Sequence, residues 1–112
     1  MNIQIYGRNK CFDTQKAERY FKERKIKYQS IELDRFGISK GEFASVKAAV
    51  GLHDLINIRS KEYSTLNLQF IHSLEIKEEL LLNNPKLFIT PIVRNGRMAT
   101  VGYKPEIWKA WV

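Results

Sequence analysis

The stretch IQIYGRNKCFDTQKA, residues 3–17, decides the fold class and contains the only cysteine of the protein. Residues 3–6 are a short apolar run typical of a buried strand, and residues 7–10 form the loop that follows it. From Cys11 a helical pattern continues through about Lys25, with apolar side chains recurring at helical spacing. Cys11 is therefore predicted to lie where a strand passes into a helix.

A thiol at the start of a helix is a candidate nucleophile. The first backbone N–H groups of a helix have no partner within it, and the positive end of the helix dipole lies at the same place. Both effects stabilise a thiolate over a thiol. A free cysteine can also pack as an inert apolar residue, but the neighbouring cations Arg8 and Lys10 favour the reactive interpretation.

The segment after this helix completes a β-α-β unit. Residues 28–33 alternate apolar and polar side chains, which is typical of a half-buried strand. Two strands joined by a helix are expected to lie parallel, with a right-handed connection. Residues 34–38 are predicted to form a loop.

Helices are predicted next in the chain. Residues 39–50 form the first, which begins with a capping box made by Ser39 and Glu42. Gly51 is expected to end it in a left-handed conformation. A further helix is predicted for residues 73–83, because the proline that follows cannot continue it.

The last part of the chain predicts a hairpin and a final helix. Asn95-Gly96 between two apolar runs indicates a type I′ hairpin, so the two strands should be antiparallel neighbours. Pro91 interrupts the first run, where a proline is tolerated at a strand start, an edge or a bend. Pro105 suits the first turn of a C-terminal helix. This order (β-α-β, a helical insertion over roughly residues 39–84, β-hairpin, C-terminal helix) predicts an α/β, thioredoxin-like fold with a mixed sheet flanked by helices.

Length and composition predict a single domain over residues 1–112. No apolar run approaches the roughly 20 residues of a membrane span, and no secretory signal precedes the first strand, so a cytoplasmic protein without membrane contact is expected. The single cysteine excludes an internal disulfide. The net charge of +7 is interpreted as a solvated basic surface, and no direct nucleic-acid binding is predicted. His53 and His72 lack partners at metal-ligand spacing, so no metal site is predicted.

Several motifs, taken in order, resemble the arsenate-reductase-like (ArsC-like) family of bacterial proteins, which includes the Spx regulators and the YffB-type proteins. The resemblance covers nearly the whole chain. Each motif is weak alone, but their order and spacing together are specific. They are Cys11 with Lys16-Ala17, residues 55–61 with Leu66-Asn67, Asn84-Pro85, Pro91-Ile92-Val93 and Val101-Gly102-Tyr103.

The resemblance implies that Cys11 is the redox thiol, that Arg59 approaches it across the insertion, and that Pro91 is a cis-proline beside it. A guanidinium near a thiolate lowers the pKa of the thiol and can bind an oxyanion bidentately. Three further residues are expected to support the thiol: Lys10, Thr14 and Thr90. Two cations could bind an anion: Arg8 and Lys104.

The chain also departs from the family pattern. Thr14 stands where Spx proteins carry the second cysteine of a Cys-x-x-Cys pair, so an oxidised Cys11 must be reduced from outside. Thr90 stands where the arsenate reductases of the family carry an arginine, which weakens the oxyanion site, and Lys104 is a loosely aligned substitute for a second arginine.

Two functions from different classes remain open. The first is a thiol oxidoreductase with Cys11 and Arg59 as catalytic residues, resembling arsenate reductases or glutathione-dependent thiol reductases. It holds no bound cofactor and uses glutathione, another small thiol, thioredoxin or glutaredoxin as reductant. The alternative is a Spx-like regulator that binds the RNA polymerase alpha subunit, with Gly51 and Lys61 at the interface.

Overall fold

The computed structural model describes residues 1–111, and within them the chain forms a four-stranded sheet. The strands are β1 (Ile3–Gly7), β2 (Tyr28–Glu32), β3 (Ile92–Asn95) and β4 (Met98–Val101). They lie in the order β2-β1-β3-β4. β1 is parallel to β2, with Ile5 opposite Ser30, and antiparallel to β3, with Ile5 opposite Val93. The mixed sheet predicted from the sequence is therefore confirmed.

The helices include the four that the sequence predicts, together with two short ones at residues 33–36 and 61–65. They are α1 (Phe12–Glu23), α2 (Leu33–Phe36), α3 (Lys40–Val50), α4 (Lys61–Thr65), α5 (Leu74–Asn83) and α6 (Pro105–Trp108), with short 3₁₀ turns at His53–Leu55, Leu68–Phe70, Pro85–Leu87 and Lys109–Trp111. None of the helices within residues 1–111 is long and apolar enough to cross a bilayer.

Apolar side chains pack on both faces of the sheet. Ile3 and Ile5 of β1 face α1 and the buried Trp108 of α6, whereas Tyr6 faces the helices of the insertion. This alternation follows from the two-residue period of a strand. The sheet is thus covered on both sides, and the loop after β1 emerges between the two layers with Cys11 at its end.

Three local predictions were wrong. The segment after β2 contains the one-turn helix α2 rather than a plain loop. Gly51 has a positive φ of 88°, but its ψ of 150° places it outside the left-handed helical region. In the hairpin Asn95 pairs with Met98, so Gly96 and Arg97 are the two central residues of the turn. Gly96 has a positive φ of 61°, whereas Arg97 has no positive φ. A positive φ at the first central residue alone is the pattern of type II′ rather than type I′.

A polar network ties β1 to α3. Glu42 completes the predicted capping box, since its backbone N–H donates to Ser39 Oγ at 3.1 Å and its carboxylate accepts from the Ser39 backbone N–H. The Tyr6 hydroxyl donates to Glu42 Oε2 at 2.7 Å, and this hydrogen bond is the main reason that the pKa of Glu42 lies below its ordinary value. Burial and the same carboxylate raise the pKa of Tyr6.

Replacing Tyr6 by phenylalanine is expected to lower the free energy of unfolding at pH 7 by about 1 kcal/mol, because a charge-assisted hydrogen bond is lost. A carboxyl whose pKa is depressed by folding contributes stability above its unfolded pKa and loses it as pH falls through its folded pKa. Y6F should therefore also lose less stability than the wild type on acidification. Urea unfolding at pH 7 and at pH 3 measures both effects. Equal acid sensitivity in the two proteins would contradict the assignment.

Candidate active site

Cys11 is the residue before the first turn of α1, as predicted. Its φ and ψ of −91° and 114° are extended, its backbone N–H donates to the Arg8 carbonyl at 3.1 Å, and its carbonyl accepts from Gln15 N–H at 3.2 Å. The side chain is half-buried. Its thiol donates to the carbonyl of Thr90 across a distance of 3.5 Å, so the cysteine contacts the segment that precedes β3.

The pKa of the Cys11 thiol is lowered. Burial alone would raise this pKa, but hydrogen bonds from the side chains of Thr14 and Thr90, together with the backbone N–H groups of Thr14 and Asp13, outweigh it. Hydrogen bonds to the charged form of a group favour that form. These contributions come from the first turn of α1 and from the residue before Pro91, and the supporting roles of Thr14 and Thr90 stay predictions.

The peptide bond between Thr90 and Pro91 is cis, as the resemblance implied. Pro91 is buried directly before β3, and its carbonyl accepts from Gly102 N–H at 2.8 Å. Next to Gly102, the ring of Tyr103 lies under Lys16 of α1, with Nζ 5.8 Å from the ring centroid. The N-terminal half of α1 therefore contacts the Pro91 segment through Cys11 and the loop after β4 through Lys16.

Arg8 was predicted to bind an anion, but its guanidinium already has partners within the protein. Its Nε donates to Asp34 at 2.9 Å, its Nη2 to the Pro85 carbonyl at 2.9 Å, and its Nη1 to the Phe88 carbonyl at 3.2 Å and to Thr90 Oγ1 at 3.4 Å. The guanidinium is thereby occupied by the protein itself. Sequence reasoning missed these partners, because Asp34 lies 26 residues away and the Pro85 carbonyl 77 residues away along the chain.

Arg59 lies in the exposed turn that leads to α4. Its backbone N–H donates to Asn57 Oδ1 at 3.0 Å. Among residues 1–111 its guanidinium makes no hydrogen bond or ion pair, and Arg59 is not among the causes of the lowered pKa of Cys11. The structure thus leaves this guanidinium accessible to solvent instead of pairing it with the thiol.

The other predicted residues lie on the surface. Lys10 is exposed in the loop before Cys11, and Lys104 is exposed at the start of α6, where it lines an open groove of about 740 Å³ together with Ile58 and Ile89. Gly51 and Lys61 are exposed at the end of α3 and the start of α4. His53 and His72 are exposed, and no cluster of three metal-ligating side chains occurs within the described part of the chain.

A family model described as the ArsC family matches residues 6–111, which includes every element around Cys11. This chain belongs to the ArsC family. Similar proteins include transcriptional regulators. Global transcriptional regulator Spx 2 of Oceanobacillus iheyensis is 30% identical over 110 residues, which cover 95% of this chain and 80% of that protein. The regulatory protein MgsR of Bacillus subtilis is 25% identical over 107 residues, covering 92% and 84%.

Solved structures of ArsC-like proteins share the fold. An arsenate reductase from Vibrio cholerae superimposes with a TM-score of 0.88 at 22% sequence identity, covering 100% of this chain and 98% of that one. At this level of identity the likeness concerns the fold, which is thioredoxin-like as predicted. ArsC membership thus accounts for the architecture.

Proposed function

We propose that this protein is a thiol-dependent oxidoreductase in which the Cys11 thiolate attacks a mixed disulfide between glutathione and a substrate thiol. The observation that carries the proposal is the half-buried thiol of lowered pKa at the start of α1, in contact with the Thr90 carbonyl directly before the cis-proline Pro91. A thiolate is the species that attacks disulfides. A location in the bacterial cytoplasm is part of the proposal, because thiols stay reduced there.

The reaction balances with one cysteine. Cys11 sulfur attacks the glutathione sulfur of the mixed disulfide, which forms a Cys11–glutathione disulfide and releases the substrate as a thiolate that takes up a proton. A second glutathione thiolate then attacks the disulfide at the bound glutathione sulfur. Oxidised glutathione leaves and the Cys11 thiolate is restored. No second cysteine is required, which agrees with Thr14 in place of the second cysteine of Cys-x-x-Cys proteins.

Arsenate is the less favoured substrate class. Arg8 is occupied by Asp34 and by backbone carbonyls, and Thr90 supplies a hydroxyl instead of a guanidinium before Pro91. Lys10, Arg59 and Lys104, which are exposed, are then the remaining predicted cations for an oxyanion or for a glutathione carboxylate. Phe12, which is 76% exposed next to Cys11, also favours a partner with apolar surface over a small oxyanion.

The proposal predicts that wild-type protein reduces a glutathionylated peptide with glutathione, and that Cys11→Ser abolishes turnover. Iodoacetamide alkylation against pH reports Cys11 alone, since there is no other cysteine. The pKa of Cys11 should lie below the ordinary value of a cysteine, about 8.5. Arg59→Ala should keep this pKa and reduce kcat/KM, with partial recovery in Arg59→Lys. A wild-type pKa at or above about 8.5, or turnover by Cys11→Ser, would contradict the proposal.

A parallel assay with arsenate separates the substrate classes. Turnover of arsenate at a rate equal to or above that of the mixed disulfide would replace the proposed substrate. Thioredoxin in place of glutathione tests the reductant. Faster turnover with thioredoxin would assign the resolving thiol to a protein.

A second candidate function is regulation through the RNA polymerase alpha subunit, and the relatives named as transcriptional regulators favour it. Gly51 and Lys61 are exposed, and no atom lies within 4 Å of the position that a Cβ at Gly51 would take, so this surface is open to a partner. A pull-down with the alpha C-terminal domain tests it. Lys61→Glu should abolish capture while the exposed control Lys109→Glu retains it, and no binding by the wild type at micromolar concentration would eliminate this function.

A further inference from the structure

β4 lies at an open edge of the sheet, and a groove runs along it. Among residues 1–111, the strand order β2-β1-β3-β4 leaves one side of β4 without a neighbouring strand. The groove of about 740 Å³ is lined by three consecutive residues of β4, which are Ala99, Thr100 and Val101. It is also lined by the end of α3, which packs on one face of the sheet, and by α6, which packs on the other. The groove therefore follows the edge of the strand.

The hydrogen-bond pattern shows which backbone groups of β4 face the groove. In an antiparallel pair, positions that bond to the partner strand alternate with positions that do not. Gly102 N–H donates to the Pro91 carbonyl at 2.8 Å, so Gly102 is a bonded position, and Thr100, two residues earlier, is the next one. The N–H and C=O groups of Ala99 and Val101 therefore point away from β3, toward the groove.

The two walls of the groove differ in chemistry. The wall on the α3 side contains Val50, Ile56 and Asp54, whereas the wall on the α6 side contains Ile107, which is 42% exposed, and Lys104. Side chains of a strand added to β4 would point alternately to these walls. The groove thus fits a segment with β-branched residues toward α3 and carboxylates toward Lys104, on the side away from Asp54.

One end of the groove lies beside Cys11. Ile89 lines the groove and precedes Thr90, whose carbonyl accepts from Cys11 Sγ at 3.5 Å. Neighbouring strands are about 4.8 Å apart, so a strand added to β4 lies about 10 Å from β3. At roughly 3.3 Å per residue, about three residues span this distance. A segment bound to β4 can therefore bring a nearby cysteine to Cys11.

We infer that this groove binds an extended segment of a glutathionylated protein, which adds to β4 as an antiparallel strand and presents its mixed disulfide to Cys11. The inference rests on the proposed function and narrows its substrates to proteins. Antiparallel pairing is the more stable arrangement, and it places the modified cysteine before the bound segment in the partner sequence. Main-chain hydrogen bonds supply affinity, and alternate side chains supply specificity.

A second copy of this chain fits the edge less well. Only two of the four residues of β4 within the described part of the chain direct backbone groups outward, whereas a stable dimer buries about 800 Å² on each partner. The walls formed by α3 and α6 flank the strand, so they would meet the same walls of another copy before the two edges came within about 4.8 Å. A single extended chain is narrow enough to enter.

Fluorescence anisotropy of a labelled peptide tests the inference on full-length Cys11→Ser protein, which should bind the peptide without turnover. The peptide carries a glutathionylated cysteine, a linker of about three residues and the segment Val-Glu-Val-Glu-Val. N-methylation of the valine nitrogens, which pair with Ala99 and Val101, should weaken binding at least about tenfold. N-methylation of the glutamate nitrogens should be tolerated, and lysines in place of the glutamates should weaken binding. Equal effects of the two methylations, the reverse order, or no binding would overturn the inference.

Two variants that retain Cys11 test the groove during turnover. Ala99→Pro removes an outward N–H but no hydrogen bond to β3, and Ile107→Asp places a carboxylate opposite the glutamates of the peptide. Each should lower kcat/KM for the glutathionylated peptide about five- to tenfold through KM. Turnover of the mixed disulfide of glutathione and free cysteine should stay at the wild-type rate. Ile76→Asp, at a 48% exposed isoleucine of α5, is the matched control and should behave like the wild type.

The outcomes distinguish the inference from the proposed function. If the wild type turns over neither substrate, the proposed function is wrong, and peptide binding to the Cys11→Ser protein decides whether the groove binds the segment. If the wild type turns over both, an equal loss for both substrates or no loss in the two variants contradicts the inference. A dimer in sedimentation that Ala99→Pro converts to a monomer would assign the edge to a second copy instead. Thermal unfolding establishes that each variant is folded, and the methylated peptides remain decisive if Ala99→Pro is not.

Discussion

Replacing Gly7 by alanine is expected to destabilise the protein by about 1–3 kcal/mol. A Cβ at position 7 would lie 2.2 Å from Thr14 Cγ2 and 2.9 Å from Thr14 Oγ1, which is inside van der Waals contact. Thr14 is buried, so it cannot move aside without disturbing the first turn of α1. Because the Thr14 hydroxyl also supports the thiolate, the pKa of Cys11 should rise in the same variant.

Urea unfolding and the alkylation profile measure the two effects of G7A. Adding Thr14→Ser removes the methyl group that makes the closest contact and should recover most of the lost stability. Gly41→Ala is the matched control: Gly41 lies in α3 with no atom within 4 Å of its added Cβ, and alanine should be neutral or stabilising there. Equal effects at positions 7 and 41 would contradict the steric explanation.

Replacing Trp108 by alanine should have a larger effect, a loss of about 3–5 kcal/mol in the free energy of unfolding. The side chain is fully buried, and its ring lies 5.2 Å from Tyr20, 5.1 Å from Phe21 and 5.6 Å from Tyr103 between ring centroids. Its Nε1–H donates to Thr100 Oγ1 at 2.8 Å. Trp108 therefore joins the final helix to both α1 and β4.

Two other variants separate the contributions of packing and of the hydrogen bond to the stability lost in W108A. Trp108→Phe keeps much of the packing but leaves the buried Thr100 hydroxyl without this donor, so its loss should be smaller than that of W108A. Trp111→Ala, at a half-buried ring on the following turn, should lose less than W108A as well. Urea unfolding at pH 7 ranks the three. A loss in W108A no larger than in W111A would show that Trp108 is not the central contact.

The sequence predicted the framework because local patterns are strong there. The apolar run of β1, the capping box at Ser39 and Glu42, and the glycine-containing turn of the hairpin each depend on residues a few positions apart. The errors arose where several backbone conformations satisfy the same local signal. A type I′ turn would place Asn95 and Gly96 at its centre, whereas the observed turn is shifted by one residue and has Gly96 and Arg97 there. The short helix α2 has too few residues to show periodicity.

The candidate site likewise contains residues that the sequence could identify and residues that it could not. Cys11 and Thr14 could be recognised from the sequence because they lie within one turn at the start of a helix. The partners of the Arg8 guanidinium could not be recognised from the sequence. They belong to Asp34, Pro85, Phe88 and Thr90, which come from distant segments that only the folded sheet brings together. The expected closeness of Arg59 to the thiol came from family resemblance, and the structure leaves its guanidinium exposed.

By itself the sequence determined the order of strands and helices, the position of the thiol at the start of α1, and the absence of an internal disulfide, since these depend on local periodicity and on a count of cysteines. Tertiary structure decided which donors surround the sulfur and which cations remain accessible. Hydrogen bonds have a reach of about 3 Å, so partners far apart in the chain are selected only when packing brings their backbones together. That is why the guanidinium of the half-buried Arg8 is bound by the protein itself, whereas Arg59 lies exposed on the surface.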